Sequence, residues 1–365
     1  MSLSRIAIPA RTASVRRAHH PEAAGCRASD IFAPSAADHF SHATMLTFAG
    51  VARAMSIAVL SATACAAQKP VARDGYLTTP DSARLFFRVL GSARDTIIAI
   101  HGGPGVDLES IYGDFVPLAT HHTVIFYDQR GAGRSTLPRD SSTLNAAQQV
   151  RDLDAVRAHF GLAHVTLVAH SYGPLLAATY AIAHPAVVRR MVFFGPVPPR
   201  RGEFWQRFAR NMNTRLDSTQ RRALADANQR LSDTTRGDDA VHQACRDYWA
   251  IAMRPRLAEP DRRPSMIHAD LCASDVRGIR YGLTRTNGAV MNSYGDWDFR
   301  AALAVVQAPT LVVHGEAESI PMDLVQEWVT ALPHATLVRV PRAAHFTYAE
   351  RPEFVWPVVE RFLSR

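Results

Sequence analysis

The chain has 365 residues, too many for one minimal domain and suited to a large domain carrying an insertion or a leader. Its 47% hydrophobic and 20% charged residues exclude collagen-like, mucin-like and wholly disordered readings, and four cysteines exclude a disulfide-dense scaffold. The formal charge of +8 comes from 40 arginines and a single lysine, Lys69, scattered without a long run and without any nucleic-acid module motif, so compositional bias explains the charge and no nucleic-acid partner is expected.

The first 66 residues differ from the rest. Residues 1–44 are rich in Ala, Ser, Arg and His, have no sustained apolar period and are broken at His19-His20-Pro21 and Ala33-Pro34-Ser35. They read as an unstructured leader or as a stretch upstream of the true start, because Met45 opens a better beginning. Residues 45–66 read as a secretory signal peptide: Arg53 precedes the apolar run Met55 to Leu60, and the small residues Ser61-Ala62-Thr63-Ala64-Cys65-Ala66 follow. That run is too short for a membrane span, which needs about 20 apolar residues. Cys65 after small residues resembles a bacterial lipoprotein box with Ala62 in place of the usual leucine, so a lipid anchor on Cys65 is a second fate for an exported chain. Export puts Cys245 and Cys272 in an oxidising space, where a disulfide is permitted and a buried free thiol is the alternative.

From Lys69 the pattern alternates between strands and helices. Arg84–Leu90 reads as a strand, and Thr96–Ile100 as a buried one ending in Gly102-Gly103-Pro104-Gly105. Val124–Tyr127 ends at Asp128. Val150, Leu153, Val156 and Phe160 give residues 146–159 a helical period. Val165–Ala169 is a third buried strand, followed by a helix over 174–183. Arg190–Phe194, Thr310–Val313 and Thr336–Val340 are further strands, and residues 350–363 close the chain as a helix. Strands separated by helices predict a mostly parallel central sheet with helices on both faces. Residues 67–198 and 298–365 form that core. Residues 199–297 break the pattern and read as an inserted helical lid, with Phe204, Trp205, Phe208, Met212 and Leu216 on one face.

The chemistry centres on Val168-Ala169-His170-Ser171-Tyr172-Gly173-Pro174. Ser171 sits between a buried strand and a helix with small residues two positions away on each side. A nucleophile on such a sharp turn adopts strained backbone angles, and bulky neighbours there collide across the turn. Ala169 replaces the first glycine of the usual G-x-S-x-G, and Pro174 fits the first helical turn. The glycine-rich His101-Gly102-Gly103-Pro104-Gly105 can turn an N–H toward a developing oxyanion, which makes Gly103 and Tyr172 the two expected donors. Glu316 and Glu318 follow a late strand, and His345 follows the last one. The order serine, acid, histidine is the one this architecture uses. A serine hydroxyl needs an imidazole to take its proton, and a carboxylate fixes the tautomer of that imidazole. His170 is read as packing or hydrogen-bonding structurally, and Asp128 with Arg130 as a buried structural pair.

Three segments together resemble the α/β-hydrolase superfamily, and within it the proline iminopeptidase-like serine hydrolases: His101-Gly102-Gly103-Pro104-Gly105, Asp128-Gln129-Arg130-Gly131-Ala132-Gly133-Arg134-Ser135 and the serine turn. The likeness runs from about Gly75 to Arg365. It implies the α/β-hydrolase fold, with Ser171 as nucleophile, His345 as base and Glu318 as acid. The family usually has aspartate where Glu318 stands, so Glu316 and Asp323 stay as rivals. The resemblance further implies an aminopeptidase that holds a free N-terminal ammonium with lid carboxylates, and Arg201-Gly202-Glu203-Phe204-Trp205 makes Glu203 a substrate-binding candidate. A second acidic position of the family is missing: Trp297-Asp298 is kept, but residues 287–294 before it hold no carboxylate.

The expected substrate is therefore a small molecule or short peptide. The readings are an exported serine peptidase of proline iminopeptidase type, a carboxylesterase or lactonase with the same triad, and an inactive hydrolase-fold binding module. No cofactor and no metal is expected, since Gly131-Ala132-Gly133 is not a dinucleotide loop.

Overall fold

The computed structural model describes residues 72–262 and 268–365. The leader over 1–44, the signal peptide over 45–66 and the proposed anchor Cys65 lie outside the described residues. Among the described residues, eight strands form one sheet: β1 (Arg73–Thr78), β2 (Arg84–Leu90), β3 (Thr96–Ile100), β4 (Thr123–Tyr127), β5 (Val165–His170), β6 (Val188–Phe194), β7 (Thr310–Gly315) and β8 (Ala335–Val340). Their order is β1-β2-β4-β3-β5-β6-β7-β8, with β1–β2 and β2–β4 antiparallel and every other pairing parallel.

Continuous apolar runs are what a strand covered on both faces requires, and the central strands distribute their side chains accordingly. On β3, Ile98 and Ile100 join one core cluster while Ile97 and Ala99 join the other; on β5, Leu167 and Ala169 go one way and Val168 the other. The first cluster is closed by α2 (Ala146–His159), α3 (Gly173–Ala183) and the helix Met322–Ala331. The second is closed by α1 (Glu109–Phe115) and the helix Pro352–Leu363. Asn145 starts α2 by accepting the Gln148 N–H at 2.8 Å, the ordinary cap for an unpaired first-turn donor.

Two sequence expectations need correction. Strand β1 was not expected, because RDGYLT alternates around mostly exposed positions and only Leu77 is buried. It exists because β2 offers it an antiparallel partner. The closing helix expected over 350–363 is present as Pro352–Leu363, starting two residues later, and a separate short helix, Thr347–Glu350, precedes it. A residue before proline is pushed out of helical backbone, and Arg351 has φ −139 and ψ 57.

Between β6 and β7 the chain leaves the sheet for a helical insertion, its stem joined by an isolated antiparallel bridge between Arg200 and Asp298. Its helices are α4 (Phe204–Thr214), α5 (Ser218–Ser232), α6 (Asp238–Ala252) and the shorter Val276–Tyr281 and Asn287–Ser293. A small core of Leu231, Val241, Ala244, Val276 and Ile279 holds it, with a disulfide between Cys245 and Cys272 at its centre. The insertion comes close to the loop after β3: a Cβ on Gly105 would lie 2.2 Å from the Gly282 carbonyl oxygen, so neither glycine tolerates a side chain. Among the described residues, no helix is long and apolar enough to cross a membrane.

Candidate active site

Ser171 follows β5 directly and opens the turn into α3 with φ +61, in the left-handed region that L side chains avoid. The strain is held by β6, since the Ser171 N–H donates to the Phe194 carbonyl and the Ser171 carbonyl accepts from the Val197 N–H, each at 2.9 Å. The two small flanking positions differ in how tightly they are constrained. A Cβ on Gly173 would stand 2.7 Å from the Ile100 carbonyl oxygen, so only glycine fits. Ala169 is buried in the sheet core and its methyl is accommodated there.

The loops after β7 and β8 bring the other two groups to this turn. His345 Nε2 lies 3.0 Å from Ser171 Oγ, and His345 Nδ1 lies 2.7 Å from Glu318 Oε2. Glu318 Oε1 accepts from the N–H groups of Ser319 at 2.7 Å and Ile320 at 3.1 Å. The imidazole is further placed by its backbone, whose N–H donates to the Arg256 carbonyl at 2.9 Å. Burial alone would raise the Glu318 pKa, but the charge and hydrogen bond of His345 outweigh it and hold the carboxyl at about 2. The rival carboxylates lie elsewhere: Glu316 is exposed, and Asp323 forms a surface ion pair with Arg207.

Beside the serine, Gly102 packs so closely that an added Cβ would stand 2.9 Å from Ser171 Cβ. Gly103 follows with φ +105. Among the described residues, no acceptor is found for the N–H of Gly103 or of Tyr172. His170 Nε2–H donates to the His345 carbonyl, 3.2 Å away, and its ring packs 4.7 Å from the His345 ring. Burial and the His345 charge push its pKa well down, so it is a neutral packing group.

Asp128 and Arg130 do not pair, and that expectation is corrected. The chain turns between them. Arg130 faces α2 and holds Asp152 and Asp81 at 2.7–2.8 Å, whereas Asp128 accepts from the Leu108 and Arg134 N–H groups at 2.9 and 2.8 Å.

A cavity of about 290 Å³ opens above Ser171 between the sheet edge and the insertion, and His345, Gly103, Trp205, Phe208, Trp249 and Arg256 are among its walls. Among the described residues, its titratable and charged lining groups are His170, Tyr248, His345 and Arg256, and none of them is a carboxylate. Glu203 is not brought there. It stands exposed at the N-cap of α4, while Phe204, Trp205 and Phe208 on the next turns face the cavity. Sequence reading missed Arg256, one of 40 arginines with no motif around it.

A buried carboxylate–imidazole–hydroxyl relay at the carboxyl ends of parallel strands, under a helical insertion, is hydrolase architecture. Residues 95–352 match the alpha/beta hydrolase fold family, and the chain belongs to it and is a hydrolase. Within that family it is proline iminopeptidase-like. It is 24% identical over 270 residues to a proline iminopeptidase of Lactiplantibacillus plantarum, covering 73% of this chain and 91% of the relative. It is 26% identical over 291 residues to one of Xylella fastidiosa, covering 75% and 91%. Among solved structures, the proline iminopeptidase of Mycobacterium smegmatis superposes with TM-score 0.59 at 22% identity, over 80% of this chain and 98% of that one. A thermophilic esterase from Thermogutta terrifontis superposes equally well, with TM-score 0.59 at 19% identity over 80% and 98%.

Proposed function

We propose that the chain is a serine hydrolase working through an acyl-enzyme, with Ser171 as nucleophile, His345 as general base and acid, and Glu318 as the group that orients and charges the imidazole. The observation that carries the reading is the unbroken relay Glu318–His345–Ser171 at 2.7 and 3.0 Å. His345 takes the hydroxyl proton as Ser171 Oγ attacks the carbonyl carbon. The Gly103 and Tyr172 N–H groups, both without a protein acceptor among the described residues, receive the oxyanion. His345 then gives its proton to the departing amine or alcohol, and water releases the acyl group by the same steps in reverse roles.

The relatives named proline iminopeptidases support an aminopeptidase that cleaves small peptides or amides. A second reading, a carboxylesterase or lactonase, is favoured by one specific feature: among the described residues, no carboxylate lines the cavity to hold an N-terminal ammonium. Proline p-nitroanilide and p-nitrophenyl butyrate separate the two, and turnover of the ester alone rejects the peptidase. Labelling by a fluorophosphonate that depends on Ser171 is expected in either case. Its absence leaves an inactive binding module.

The compartment belongs to the same proposal. The Cys245–Cys272 disulfide supports an exported enzyme, because such bonds persist in oxidising spaces. Mass spectrometry of the mature amino terminus tests export and a lipid on Cys65. An unprocessed chain from Met1 or Met45 refutes it.

A further inference from the structure

Arg256 stands in the 3-10 turn Arg254–Arg256 just after α6, and it lines the cavity over Ser171. Several arginines of the insertion are paired with carboxylates, Arg207 with Asp323, Arg230 with Asp226 and Asp247, and Arg254 with Asp261, while Arg215, Arg221 and Arg280 donate to backbone carbonyls. Arg256 has no such pair among the described residues. One of its N–H groups, on Nη1, donates to the Ala252 carbonyl, and its guanidinium lies 6.0 Å from the Phe208 ring. No acceptor is found among the described residues for Nε or Nη2. A helix-capping role uses one N–H of five and does not require the charge to sit in a cavity walled by Phe208, Trp205 and Trp249. Holding a cation there is costly, and burial pushes its pKa down from the ordinary value. That cost is offset when an anion enters and accepts two parallel N–H bonds.

The position of Arg256 also indicates which part of the substrate it meets. Its carbonyl accepts from the His345 N–H, and its charge acts on His170 and Glu318, so it stands at the histidine end of the relay. The imidazole delivers its proton to the leaving group, which therefore passes over that end. We infer that Arg256 is a specificity-determining residue that binds a carboxylate carried by the leaving group, so that the preferred substrates release an acid-bearing amine or alcohol, such as the carboxyl-terminal part of a short peptide. This rests on the Ser171 hydrolase reading above.

The test uses the full chain and two substrate pairs that differ only in the carboxylate: prolylglycine against prolylglycinamide, and 4-butanoyloxybenzoate against 4-butanoyloxybenzamide. The expected result is a preference of about tenfold or more for the acid of whichever pair is cleaved, expressed in KM. Arg256→Gln removes the preference, read as the ratio of kcat/KM for acid and neutral substrate within that one variant, so that any change common to both substrates cancels. Arg256→Lys, which keeps the charge without the fork, restores part of it. Fluorophosphonate labelling of Ser171 is measured in each variant. Labelling with no acid preference in wild type, or with a preference unchanged in Arg256→Gln, overturns the inference and leaves the hydrolase intact. Preference for a carboxylate in the acyl part instead, tested with phenyl hemiglutarate, overturns the leaving-group assignment. If no substrate is turned over, the proposed function fails. Calorimetric binding of 4-hydroxybenzoate, but not 4-hydroxybenzamide, and its loss in Arg256→Gln then still decide the anion site.

Discussion

Replacing Glu318 by glutamine removes the charge of the relay and also reverses its polarity. Glu318 Oε1 is committed to two backbone donors, the N–H groups of Ser319 and Ile320. In Glu318→Gln the amide oxygen must stay there, because an NH₂ group facing two N–H donors would leave all of them unpaired in a buried site. The NH₂ then takes the Oε2 position, 2.7 Å from His345 Nδ1. It donates to Nδ1 and forces the proton onto Nε2, where the imidazole can no longer accept from Ser171. The electrostatic part is separately large. Two point charges 2.7 Å apart attract by about 6 kcal/mol at an effective dielectric constant of about 20, which is roughly four powers of ten in rate. Charge spread over the ring and both carboxylate oxygens lowers that figure, and a fall of about 10³–10⁴ in acylation rate is expected. The assay is the second-order rate constant for fluorophosphonate labelling of Ser171, with the melting temperature as a control for folding. Acylation within tenfold of wild type in a folded Glu318→Gln refutes the reasoning. The sign with pH follows from the same pair. Glu318 is held at about 2 against an ordinary value of 4.5, so the stability it contributes is complete above about 4.5 and is lost as pH falls toward 2.

The turn at Ser171 predicts an inverted stability order: at φ +61, Ser171→Gly should be more stable than Ser171→Ala by about 1 kcal/mol, read by denaturant unfolding, and the usual Ala-over-Gly order refutes the strain. Asp107 is buried beside Asp128 and hydrogen-bonded to Ser274 in the insertion; burial and the Asp128 charge raise its pKa to about 7. Its raised pKa makes wild type lose stability as pH rises from about 4 to 7, so the melting temperature of Asp107→Asn should exceed it by a margin that widens over that range and is constant above it; a pH-independent margin refutes this. Mutating both Cys245 and Cys272 to serine opens a loop with a separation of 27 residues and should cost about 3.5 kcal/mol in urea unfolding; no loss means the insertion is held without the bond.

Much of the fold was legible because buried parallel strands write themselves as continuous apolar runs. Residues 96–100 and 165–169 carry that signal, and residues 146–159 carry a helical period. Strand β1 carries no such run, since one face is exposed and its pairing with β2 is decided by register alone. The break at Arg351 is written in Pro352, which disfavours helical backbone at the residue before it.

By itself the amino-acid sequence determined the alternation that builds the sheet, the small residues that permit the serine turn, and the order in which serine, carboxylates and histidine occur. These are local, set by backbone sterics and by side-chain period. Only the tertiary structure decided which carboxylate meets His345, that Asp128 and Arg130 turn to opposite sides, that Glu203 stays in solvent, and that Arg256 faces the cavity. Each of those depends on where loops separated by tens to hundreds of residues come to rest, and a side chain's direction across such distances is fixed by packing, which leaves no mark on the neighbouring sequence.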